Sequence, residues 1–122
     1  MPLVHHELCF GCGRTNLFGL LLEVESTGPG AISGRCFIKQ DHQGPERGSA
    51  HAGLIATALA EAMMFAAGPH ATLAALAVSF EAPAHVGGFV EVEARAGQEM
   101  SVTARASADG VQLAHATGTF RT

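Results

Sequence analysis

The 122-residue chain has no tryptophan and no tyrosine, and its 7 lysine and arginine residues are outnumbered by 11 aspartates and glutamates. A net charge of −4 argues against a nucleic-acid binder, which needs a basic patch to meet phosphates. It leaves room for a single anionic ligand held by a local site. The 3 cysteines are too few, and odd in number, for a disulfide framework, so a reduced, cytoplasmic setting is expected. No run reaches the roughly 20 apolar residues that a membrane span requires. No basic segment leads into an apolar core at the start, so no signal peptide is expected. What the chain does have is apolar material: 48% hydrophobic residues against 15% charged. That suffices for one core in a single domain over residues 1–122, with some left for a subunit interface.

The most informative stretch is His51 to Ala67. Alanine, leucine, methionine and glutamate dominate it, and it lacks proline, so it reads as a helix. Leu54, Ile55, Ala58, Leu59, Ala62, Met63 and Phe65 cover most of its circumference, which predicts burial on nearly all sides. Glu61 stands in the middle, a carboxylate whose desolvation needs compensation. Ser49 is the expected N-cap, and Gly68-Pro69 ends the helix.

Around this helix the pattern is extended. Leu20–Glu25 and Ala31–Ile38 read as a hairpin across the turn residues Thr27 to Gly30. After the helix come strand-like runs at about 72–82, 88–96, 100–107 and 111–120, expected as a meander. Asp109-Gly110 is the dipeptide that favours a tight primed turn. The fold class is therefore α+β, one antiparallel sheet wrapped around one long helix. An open sheet has two edges, which favours pairing with a second copy.

Several motifs, in order, resemble one known family. Cys9-Phe10-Gly11-Cys12-Gly13 followed by Asn16 and Gly19-Leu20 is one. His42-Gln43-Gly44, Gly48, His51, Gly53 to Thr57 and Glu61 to Met63 form the second. Phe80 to Pro83 with Val86-Gly87, and Asp109-Gly110 with Ala116 to Phe120, complete the set. Together they resemble hotdog-fold acyl-CoA thioesterases of the phenylacetate-degradation branch. That resemblance implies hydrolysis of an acyl-CoA in a site at a homodimer interface, with dimers that can pair into tetramers. It implies no cofactor, no nucleic acid and no membrane.

The resemblance also assigns residues. Backbone N–H groups of Ala52 and Gly53 would polarise the thioester oxygen, because the first N–H groups of a helix lack intrahelical partners and carry its positive end. Ala52 replaces the glycine usual in the family. His51 would orient the helix start or bond substrate, or else simply bond loop carbonyls. Gln43 would hold water or the thioester. Asn16, Arg47, Thr57 and Phe80 are the expected substrate contacts. The family's carboxylate, base or nucleophile, falls at Ala60 here, with Glu61 next to it. Either Glu61 supplies the acid from the adjacent position, or the usual acid is missing and the protein hydrolyses poorly or only binds. Phe80-Glu81 is acidic where relatives are often basic.

Cys9 and Cys12 also have metal-ligand spacing, with His5 and His6 nearby. Zinc needs four tetrahedral ligands, and sequence offers two cysteines, His5 and one unnamed group. The plainer reading is a buried turn flanked by Gly11 and Gly13, so no metal is assigned. Cys36 reads as a small apolar strand residue.

Overall fold

A computed structural model describes residues 2–122. Its elements are β1 (Glu23–Gly28), β2 (Ala31–Phe37), a 3-10 turn at Gln40–His42, α1 (Ala52–Ala67), β3 (Thr72–Phe80), β4 (Phe89–Ala96), β5 (Ser101–Ala108) and β6 (Val111–Arg121). The strands form one antiparallel 6-stranded sheet in the order β1-β2-β4-β5-β6-β3. Among the described residues, no helix is long and apolar enough to cross a membrane.

The expected meander is corrected in one respect. Only β4, β5 and β6 follow one another across the sheet, while β3 crosses to the far edge and pairs with β6. The crossover lets α1 lie across one face. Val90, Val92 and Ala94 of β4, and Val102, Ala104 and Ala106 of β5, point towards it and are buried. Charged residues such as Glu91, Glu93 and Arg105 take the alternate, outward positions. Asp109 and Gly110 both have positive φ, 50° and 79°, as the primed hairpin turn demands. The first strand begins later than expected. Leu20 and Leu22 are instead tied to the N-terminal loop through the carbonyls of Phe10 and Gly11, each at 2.8 Å.

α1 is not enclosed on all sides. Ile55, Ala58, Leu59, Ala62, Met63 and Ala66 are buried on the sheet side, and Glu61 is buried under the N-terminal loop. Gly53, Ala56, Thr57, Ala60 and Met64 remain exposed or half-buried. Gly118 of β6 makes the close approach possible, since a Cβ there would sit 2.9 Å from the Met63 sulfur. The N-cap is His51, not Ser49. Ser49 is buried in a bridge to His85, and the His51 ring performs the capping.

Candidate functional site

The start of α1 is one place where chemistry collects. His51 has extended backbone, φ −60° and ψ 138°, and its Nδ1 accepts the Gly53 N–H at 2.8 Å. A neutral ring accepting at Nδ1 carries its proton on Nε2. The His51 carbonyl takes the Leu54 N–H at 3.0 Å. Ala52 N–H has no hydrogen-bond partner among the described residues, and His51, Ala52 and Gly53 are all exposed. The positive end of a 16-residue helix thus opens on the surface with one free donor.

The preceding loop is built to hold this end. His51 N–H bonds the His42 carbonyl and Ala50 N–H the Ala84 carbonyl, both at 2.8 Å. Burial pushes the buried His42 below its ordinary pKa. The Gln43 amide closes the loop on itself: Oε1 accepts from Gly48 N–H at 2.6 Å, and Nε2 donates to the Gln40 carbonyl at 2.8 Å. Gly48, at φ 87°, makes that turn possible. Arg47 is exposed at the tip of the loop. Thr57 Oγ1 donates back to the Gly53 carbonyl at 2.8 Å.

His51, Ala52, Gly53, Thr57, Gln43 and Arg47 therefore share one end of the helix and its entry loop. Asn16 makes two local bonds, to the Leu8 carbonyl and from Phe18 N–H, each at 3.1 Å. Phe80 is 52% exposed at the end of edge strand β3.

Glu61 lies in a second cluster. Its residue is 3% exposed. Oε2 lies 2.8 Å from His5 Nδ1 and accepts from Cys9 Sγ at 3.2 Å. The neighbouring Ala60 sits on the open stripe of the helix, and one residue's step turns the Glu61 side chain about 100° from it. The His5 ring stacks on Phe65, with centroids 3.8 Å apart and planes 8° from parallel. Burial pushes the Cys12 thiol up to about 12, and the Glu61 carboxylate adds to the shift. Cys36, buried among strand side chains, is likewise raised to about 12 by burial. Sequence reasoning had both cysteines and His5 but not their link to Glu61. The available signal was a helix carboxylate with no obvious cation to meet.

A broad hollow lies over the outer face of the sheet, lined in part by Ser33, Glu93, Arg105 and His115. Within it Arg105 pairs with Glu93 at 2.8 Å.

The chain matches no protein-family profile and no curated protein sequence. Solved structures do resemble it. A phenylacetic acid degradation-related protein from Ralstonia eutropha JMP134 is 23% identical, with TM-score 0.72 over 84% of this chain and 86% of that one. The PaaI protein from the phenylacetic acid degradation operon of Escherichia coli is 17% identical, with TM-score 0.74 over 81% and 77%. A Streptococcus pneumoniae protein described as a hypothetical thioesterase and crystallised with coenzyme A is 13% identical, with TM-score 0.73 over 81% and 83%. The chain has the hotdog fold, shared with these solved structures.

Proposed function

We propose that the protein binds an acyl-CoA thioester at the start of α1 and hydrolyses it, in a site completed by a second copy of the chain. The observation that carries this reading is the unpartnered Ala52 N–H at the open, positive end of the helix. The coenzyme A bound to the S. pneumoniae neighbour supports the ligand class.

In this reading the thioester oxygen sits on Ala52 N–H, and negative charge developing there is stabilised by that donor and the helix dipole. Water adds to the carbonyl carbon, the C–S bond breaks, and the acid and coenzyme A thiol leave. Gly53 N–H becomes a second donor when the His51 ring releases it. Gln43 keeps the entry loop in shape and Arg47 meets phosphate, while Asn16 braces the N-terminal loop. Thr57 and Phe80 face the acyl portion.

The base is the weak part of the machinery. The expectation that Glu61 supplies it competes with its enclosure under the N-terminal loop, and the geometry favours a chain whose usual acid is simply replaced by Ala60. Hydrolysis then rests mainly on carbonyl polarisation and is slow. Steady-state assays with a panel of acyl-CoAs test this, and Ala60→Asp is expected to raise kcat by about tenfold or more. Calorimetric binding of acyl-CoA with no turnover selects the second reading, a non-catalytic acyl-ligand binder, which Ala60 itself favours. Neither binding nor turnover removes both.

The second copy is argued from β3. This edge strand, Thr72 to Phe80, carries no charged residue, and Leu76 and Phe80 are 37% and 52% exposed. Edge strands of stable monomers are usually blunted by charge or proline. Pairing β3 with β3 of a second copy would cover them and bring the open stripes of two helices together. Leu76→Glu is expected to convert a dimer to monomers in sedimentation velocity while leaving far-ultraviolet circular dichroism unchanged. A wild-type monomer at micromolar concentration would refute the arrangement.

A further inference from the structure

We propose that His5, Cys9, Cys12 and Glu61 form a four-ligand site for zinc that fastens the N-terminal loop to the middle of α1. This goes beyond the thioester reading and does not depend on it.

One ligating atom from each residue lies within 4.8 Å of all the others. The individual separations have the right scale. His5 Nδ1 is 3.7 Å from Cys9 Sγ and 3.5 Å from Cys12 Sγ, and Glu61 Oε2 is 3.2 Å from Cys9 Sγ. A tetrahedron with Zn–S bonds of about 2.3 Å and Zn–N or Zn–O bonds of about 2.0–2.1 Å has sulfur-to-nitrogen and sulfur-to-oxygen edges of about 3.5 Å. The two edges to Glu61 are short, His5–Glu61 at 2.8 Å most of all and Cys9–Glu61 at 3.2 Å less so, and both are pairs that a direct hydrogen bond draws together. An ion entering the centre needs a shift of about half an ångström there, given the edge expected from those bond lengths.

The surroundings are also those of a built site. The Cys12 sulfur accepts the His5 backbone N–H at 3.2 Å, a bond that stabilises a thiolate. Gly13 N–H closes the turn on the Cys9 carbonyl at 2.8 Å. Arg14 reaches from the Cys12 carbonyl to the Leu22 carbonyl, at 3.4 and 3.1 Å, and ties the loop to the start of the sheet. Phe65 fixes the plane of the His5 ring. Gly11 leaves room for Glu61, since a Cβ there would overlap the end of its side chain. Leu21, held at φ 53° where a side chain is disfavoured, keeps Leu20 and Leu22 bonded to this loop.

The donor set chooses the metal. Two thiolates and an imidazole favour zinc or another thiophilic ion over magnesium or calcium. The buried Glu61 carboxylate meets His5 and Cys9, neither of them a fixed cation, and a divalent ion supplies positive charge there. Binding transfers both thiol protons to solvent and leaves Zn²⁺ with two thiolates, one carboxylate and a neutral imidazole. Four protein ligands close the coordination sphere, so the site is a staple and not an open catalytic centre. It also occupies Glu61, consistent with a reaction that does not use this carboxylate as base.

The test uses the full chain, purified without a metal-affinity step, stripped with chelator and titrated with Zn²⁺ against a chromogenic competitor. One equivalent of tightly bound zinc is expected. Co²⁺ in the wild-type chain should give intense tetrahedral visible bands and a sulfur-to-cobalt charge-transfer band. Cys9→Ser, Cys12→Ser and Glu61→Gln should each weaken zinc by more than the roughly 10–100-fold that loss of an outer-shell partner costs, while Cys36→Ala should not. The cobalt spectrum needs no variant, so misfolding of a substituted chain cannot hide the answer. Six-coordinate cobalt without charge transfer, no stoichiometric zinc, or binding unaffected in folded Cys9→Ser would overturn the proposal. Metal binding is read without substrate. A chain that holds zinc and hydrolyses nothing therefore overturns the thioester reading alone, and an active chain without zinc overturns only the metal site.

Discussion

Ala52→Pro is expected to lower thioester turnover by about 10²–10³-fold, the usual loss when one oxyanion donor is removed, without melting the helix. Ala52 is the first helical residue, and its N–H has no intrahelical partner to lose. Proline is well tolerated at this position because its fixed φ already suits a helix start. The residue before a proline is driven to extended backbone, and His51 is already extended at ψ 138°. The substitution therefore deletes one donor with little other disturbance. Ala52→Gly keeps the N–H and is expected to retain activity. Comparing kcat/KM of the two variants, with Tm measured alongside, separates a lost donor from a lost fold. Equal activity in both would take the helix start out of the reaction.

Leu59→Ala is expected to destabilise the protein by about 2–5 kcal/mol, the range for emptying a buried leucine site. Leu59 is 0% exposed and lies mid-helix in the core shared by α1 and the sheet. Val90, Val92 and Val102 of the same core project from a hydrogen-bonded sheet, which resists collapse into a void. Total stabilities are usually about 5–15 kcal/mol, so this one truncation removes a large share. Urea denaturation should show a lower midpoint at unchanged slope. Protein concentration and metal content must be fixed, because association and ligands both shift apparent stability. A loss under about 1 kcal/mol would mean that the sheet closes over the gap more readily than its pairing suggests.

The helix was legible because its signal is local: seventeen residues of helix formers, stopped by Gly68-Pro69. The hairpins were legible for the same reason, Asp109-Gly110 above all. The place of β3 was not. Its alternation shows that Leu76, Val78 and Phe80 share a face but carries no information about which strand lies beside it, and β6 begins 31 residues after Phe80. The N-cap was misread because serine is the commoner capping residue, whereas an imidazole nitrogen accepts the same N–H. At the cysteine cluster, the spacing of Cys9 and Cys12 pointed to a loop that could hold an ion. Its fourth member stands 52 positions beyond Cys9, and only the packing of the loop across α1 joins them. The consequence of Ala60 was visible in sequence, but the direction of its neighbour was not, since that depends on what covers each side of the helix.

The placement of β3 beside β6 bears on how the polypeptide acquires its shape. The middle of the sheet joins residues as distant as Ala31 and Arg95, and β3 has no neighbour within the protomer until the last strand is in place. Contacts so remote along the chain make folding slow, because loop closure precedes any gain from them. During that delay a nine-residue uncharged strand, Thr72 to Phe80, has neither a partner on its edge nor a proline to interrupt it. A chain cut short before Val111 would keep that segment permanently bare, and aggregation, more than loss of the hairpins, would be its fate.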